Sequence, residues 1–190
     1  MSDHLKTLFS KKDNFSLYNP SVFYKGFRDR VFALSWSKSL DIHPGRVIAF
    51  VYERGSDAGD TCYSLVNIAG GIEGIEGGPS ASIYYSDGGG IIGSRQHLDV
   101  SSMSQELIDY SEKFIPLLDK RCDFPLPSPA MVRVYVIQGP KDPKDLKGAD
   151  MRVYSAEYPE DDISMLDHQL YPLFLKANEL ISLIESKVSK

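Results

Sequence analysis

His97, Asp99 and Cys62 are the side chains whose types could carry covalent chemistry in this chain. A histidine can act as general base while a carboxylate orients it, and a cysteine can supply the nucleophile. Asp87 and Arg95 add charge nearby, so a small hydrolase-type site around His97, Asp99 and Cys62 is one expectation. The competing reading of Cys62 is a buried small hydrophobe, because it falls within the strand-like run Thr-Cys-Tyr-Ser-Leu-Val. The spacing does not require the three residues to meet. No catalytic residue is assigned, and these three stand as the candidates.

Gly88, Gly90 and Gly93 spell Gly-x-Gly-x-x-Gly after a predicted strand. A dinucleotide fingerprint needs a helix opening at once and an acidic residue about twenty positions later at a strand end. Here residues 94–102 intervene before the predicted helix, and Asp109 and Glu112 fall inside it. No phosphate-binding Gly-x-x-x-x-Gly-Lys-Ser/Thr exists, so nucleotide binding is not expected. The stretch 70–93 holds nine of the fifteen glycines, and they are read as two turns, 70–78 and 88–93, flanking one strand. The four histidines (His4, His43, His97 and His168) share no metal-ligand spacing, so neither metal nor cofactor is expected.

Charge is unevenly spread. From Ser39 to Glu112 the chain has no lysine, and Arg46, Arg54 and Arg95 stand against eleven carboxylates, a local balance of −8 within a net charge of −5. Such a one-sided field steers partners of opposite charge, and a net negative chain is a poor counterion-displacing ligand for nucleic acid. Tyr84 and Tyr85 lie beside the glycine turns, and tyrosine joins apolar area to a hydroxyl at interfaces. Glu73, Glu76, Tyr84, Tyr85 and Asp87 are therefore the expected partner-binding residues. Adjacent strand residues face opposite ways, so alternation allows at most one of the two tyrosines to pack inward.

The elements that must position these groups follow from periodicity. Asn19-Pro20 reads as a helix start, with Tyr24, Phe27, Val31 and Leu34 on one stripe, Lys25, Arg28 and Asp29 pointing elsewhere, and Trp36 as a core residue. His43-Pro44-Gly45 ends that helix. Strands are expected over 46–54, 61–68, 80–86, 130–138 and 150–157, the first apolar on both faces (Val47, Ala49 and Val51 against Ile48, Phe50 and Tyr52) and the last two joined as a hairpin with a charged tip over 141–147. Ser102 and Gln105 form a capping-box pattern ahead of a helix striped by Leu107, Ile108, Phe114 and Leu118, which Pro116 should bend. Lys120 and Arg121 suit its C-terminal end. Residues 124–129 form a stiff, Pro-rich crossover. A last helix buries Leu166, Leu170, Leu173, Phe174, Ala177, Ile181, Ile184 and Val188, with a kink at Pro172.

With 190 residues, 42% hydrophobic and 25% charged, the chain suits one α+β domain over 1–190, with 1–18 partly ordered. The expected architecture is a mainly antiparallel or mixed sheet of about five strands carrying three main helices, in the order α-β-β-β-α-β-β-α. The N-terminal stretch is broken by charges and is not read as a signal peptide, and no run reaches the ~18 apolar residues of a membrane span. Cys62 and Cys122 suggest no disulfide framework. The functional expectation is a non-enzymatic cytoplasmic protein-binding domain whose acidic middle third docks a basic partner, most concretely as an immunity-protein-like antagonist of a toxin. A chaperone or adaptor is a further alternative.

Overall fold

The computed structural model describes residues 18–32, 45–69, 78–92, 96–139 and 152–188. Leu34, Trp36, His43, Pro44, Glu73, Glu76, Gly93, Arg95 and the tip over 141–147 lie outside the described residues. In chain order the elements are α1 (Val22–Phe32), β1 (Val47–Gly55), β2 (Cys62–Ile68), β3 (Ser80–Tyr85), β4 (Gly90–Ile91), α2 (Leu98–Ser111), a 3-10 helix (Glu112–Leu117), β5 (Asp119–Arg121), β6 (Met131–Gln138), β7 (Arg152–Pro159), α3 (Glu160–Ile163) and α4 (Tyr171–Val188). The strands form one sheet in the order β4-β3-β2-β1-β6-β7-β5, and every adjacent pair is antiparallel.

The five expected strands are present, and two short edge strands join them. β4 has two residues, too few for any alternation to register. β5 is Asp119-Lys120-Arg121, exposed throughout, so the charges that resembled a helix C-terminus instead border the sheet. Within β1 the expected facing is shifted. A register irregularity between Val47 and Ala49 puts Val47, Phe50 and Tyr52 in the core beneath α2 and α4. It leaves Ile48, Ala49 and Val51 on the α1 face. A bulge of this kind adds one residue and flips the alternation beyond it.

Helix boundaries differ for identifiable reasons. Ser21, not Asn19, supplies the hydroxyl that accepts the Tyr24 N–H at 3.2 Å, and Asn19 sits at φ 39. α2 opens at Leu98, one residue after the extended His97, so Ser102 and Gln105 lie inside the helix rather than at its cap. The Pro116 ring clashes with the carbonyl four residues back, and the chain tightens to 3-10 geometry from Glu112, that fourth residue. Pro172 falls in the first turn of α4, where it is tolerated without a kink. Glu160, Asp161 and Asp162 form their own short helix. Leu166 and Val188, expected in the core, are 82% and 62% exposed.

Two cores lie on opposite faces of the sheet. One gathers Leu65, Ile83, Leu107, Ile108, Leu173 and Leu180 beneath α2 and α4. The other gathers Tyr24, Val31, Phe32, Val66, Leu126 and Ile137 beneath α1 and the Pro-rich segment. Arg28 was expected to point outward and is instead buried in the second. Its Nε and Nη2 donate to the two oxygens of Glu53 at 2.8 and 3.0 Å. Further bonds reach the Phe124 carbonyl at 2.6 Å and the Pro125 carbonyl at 3.0 Å. Ser64, Glu53, Arg133 and Glu157 stand side by side across β2, β1, β6 and β7, and Arg133 pairs with Glu157 at 2.6 Å.

Removing one partner of a buried pair strands the other charge. Arg28→Ala is therefore expected to cost about 3–5 kcal/mol in urea unfolding. Arg28→Ala/Glu53→Ala should cost clearly less than the sum of the two single losses, and additive losses would contradict the coupling.

Candidate functional site

The three catalytic candidates are placed apart. Cys62 opens β2 and is 4% exposed, with its side chain in the core beneath α1. Its thiol donates to the Tyr24 hydroxyl at 3.6 Å. Burial, aided by the Glu53 charge, pushes the thiol up to about 11, so it stays protonated at neutral pH. His97 and Asp99 instead begin α2, which packs on the opposite face. The Ser101 hydroxyl donates to the Pro79 carbonyl at 3.0 Å, which sets this end of α2 beside the start of β3. Cys62 lies at the other end of β2 and pairs with Gly55. Asp99 is turned to α4, where Lys187 Nζ donates to it at 2.5 Å. That bond holds its carboxyl below the ordinary aspartate range. Among the described residues, Cys62 and His97 lie on opposite faces of the sheet, and no ion pair or hydrogen bond joins His97 to a carboxylate.

The glycines of the β3–β4 connection are explained by its turn. Gly88 and Gly89 take φ of 107° and 102°, the left-handed region that side chains avoid. A Cβ at Gly90 would strike the Ile83 carbonyl.

Much of the acidic span is neutralised within the fold. Glu53 is held by Arg28, Asp99 by Lys187, Glu106 by Lys176, and Asp109 and Glu112 both by Arg46. The span's described carboxylates without an ion pair among the described residues are Asp57, Asp60 and Asp87. All three sit in the β1–β2 loop or the β3–β4 turn, at one end of the sheet. Asp60 accepts the Ser56 hydroxyl at 2.8 Å, which lowers its carboxyl and keeps it charged.

A cleft of about 370 Å³ opens between these connections, lined by Arg54, Asp57, Thr61, Tyr63, Tyr85 and Asp87 among others. Tyr63 and Tyr85 face one another across β2 and β3 with ring centroids 6.4 Å apart, tilted by 54°. Burial raises both phenols, so they remain neutral hydroxyl donors. The far wall is Arg54, bonded to Glu160 of α3 at 2.6 Å. Asp161, Asp162 and Asp167 follow on the adjoining segment, with no ion pair among the described residues. Two carboxylates and two tyrosine rings thus line one cleft beside the ion-paired Arg54, and carboxylates and ring faces are the groups that attract cations, by charge and by the ring quadrupole.

Of the expected partner-binding residues, Tyr85 and Asp87 line this cleft. Tyr84 does not. It is 5% exposed on the other face, covered by Phe27 with ring centroids 3.5 Å apart. Glu73 and Glu76 lie outside the described residues. Arg54, Asp57, Thr61 and Tyr63 were not singled out by sequence reasoning. Of these, Asp57 lies in the run Gly-Ser-Asp-Ala-Gly-Asp, whose composition signals a loop and nothing about a shared role. Comparison of the chain with known protein families, curated proteins and solved structures finds no match.

The two free cysteines differ sharply: Cys62 is buried and Cys122 exposed. Iodoacetamide at pH 8 is expected to modify Cys122 and spare Cys62 until denaturant is added, as read by intact mass. Rapid labelling of Cys62 in the folded protein would contradict its burial and its raised pKa.

Proposed function

We propose that this chain is a non-enzymatic protein-binding domain that docks a basic partner on the acidic end of its sheet. Its most concrete form is an immunity-protein-like antagonist of a toxin. The observation that carries the reading is where unpaired charge remains. The other described carboxylates of the acidic span are matched by Arg28, Arg46, Lys176 and Lys187, whereas Asp57 and Asp87 line a cleft shared with Tyr63 and Tyr85, with Asp60 in the same loop as Asp57. Matching potentials of this kind raise association rates and discriminate against partners of like charge.

The reading is tested with tagged protein recovered from its own cells at low salt, beside an Asp57→Lys/Asp87→Lys variant of equal thermal stability. The expected outcome is a stoichiometric basic partner with the parent chain, released as salt rises and weakened about tenfold or more with the variant. A partner held equally by both chains, or insensitive to salt, would refute docking at this end.

A further inference from the structure

Beside the cleft the chain turns through residues 164–170, between α3 and α4, and holds Met165 57% and Leu166 82% exposed. The turn is well supported. Ile163 and Leu170, on either side of it, are each 1% exposed. The Met165 N–H donates to the Asp162 carbonyl at 3.1 Å, the His168 N–H to the Met165 carbonyl at 3.0 Å, and the Tyr171 N–H to the His168 carbonyl at 2.9 Å. The His168 ring packs edge-on against Tyr158 at 4.5 Å, and its Nδ1 accepts the Leu170 N–H at 3.2 Å. Two apolar side chains are thus presented by an ordered backbone, which lowers the entropic cost of docking. Around them stand Asp161, Asp162 and Asp167, so an apolar centre is rimmed by charge, the usual anatomy of a protein-binding patch.

We infer that the Met165–Leu166 turn is the apolar anchor of the docking face, with Leu166 entering an apolar recess on a partner whose surrounding surface is basic. This inference rests on the acidic-end reading above and adds a second contact of different physical origin. Two observations select the occupant. The three aspartates around the turn favour a basic surface and repel a second copy of this face or an anionic membrane. The turn also adjoins the cleft, because Arg54 of the cleft wall is bonded to Glu160 at the start of α3. One partner can therefore meet both.

The test uses fluorescence anisotropy with two labelled probes, an amphipathic Leu/Lys helical peptide and an oligolysine of equal charge. The Leu/Lys peptide should bind more tightly. Leu166→Ser should weaken it about tenfold or more, the scale set by burying one leucine, while leaving oligolysine binding and thermal stability unchanged. Asp57→Lys/Asp87→Lys should weaken both probes. If Leu166→Ser and Met165→Ser bind the Leu/Lys peptide as the parent does while the charge reversal weakens it, the anchor is refuted and the docking face stands. If neither probe binds the parent chain at low salt, the docking face is refuted and the anchor with it.

Discussion

The salt bridge between Arg28 and Glu53 is the contact on which the α1 face depends. Both side chains are nearly or fully buried, where an isolated charge is expensive and a paired, fully bonded one is tolerated. The pair does more than cancel charge. Glu53 also accepts the Ser64 hydroxyl at 2.9 Å, and the Tyr24 and Ser64 hydroxyls share a hydrogen bond of 2.5 Å. Arg28 carries the bond network outward to the carbonyls of Phe124 and Pro125. A helix, the central strand and the Pro-rich segment are thereby fixed to one another at a single point. Stacked rings extend the contact, with Phe32 on Phe124 at 4.5 Å and Phe27 on Tyr84 at 3.5 Å.

The same distribution of charge separates structure from recognition. Cations from α1, α4 and the residue before β1 reach into the acidic span and quench its carboxylates along the body of the fold. Among the described residues, the carboxylates left over collect in the β1–β2 loop and the β3–β4 turn. Bonds through Arg54 and Glu160 tie that end to the α3–α4 turn. An acidity that the sequence spreads over residues 39–112 becomes local among the described residues once the ion pairs are drawn.

Strong periodicity made the five long strands and the two long helices legible, because burial on one or both faces forces a pattern of apolar residues. The misplaced details have local causes. Arg28 sits at a helix position where polarity implies solvent, and partners far off in the chain, Glu53 and the Phe124 and Pro125 carbonyls, make its burial tolerable. Tyr84 and Tyr85 were correctly read as facing opposite ways, but alternation alone could not say that Phe27 covers Tyr84. Leu166 continued an apolar spacing that the chain interrupts with a turn. Cys62, His97 and Asp99 were close in type and composition, yet a sheet separates the first from the others. The cleft was half visible: Tyr85 and Asp87 stand out beside the glycine turn, while Tyr63 required the β2–β3 register and Asp57 the placing of the β1–β2 loop at the same end of the sheet.

The strand order also bears on how quickly the chain can reach this state. The sheet consists of two locally connected ribbons, β1 to β4 on one side and β5 to β7 on the other, joined along the β1–β6 seam. Each ribbon can zip from its own hairpins, whereas the seam pairs Val47 with Gln138 and Arg54 with Val132, so the whole stretch between Arg54 and Val132 must close as a loop before the seam's first bond forms. Loop closure of that length slows folding far more than it weakens the finished sheet. The seam also carries Glu53, paired with Arg133 near one end, and the carboxylate remains without the buried Arg28 until α1 docks. The middle of the sheet, its most protected part once formed, is thus the part that topology delays.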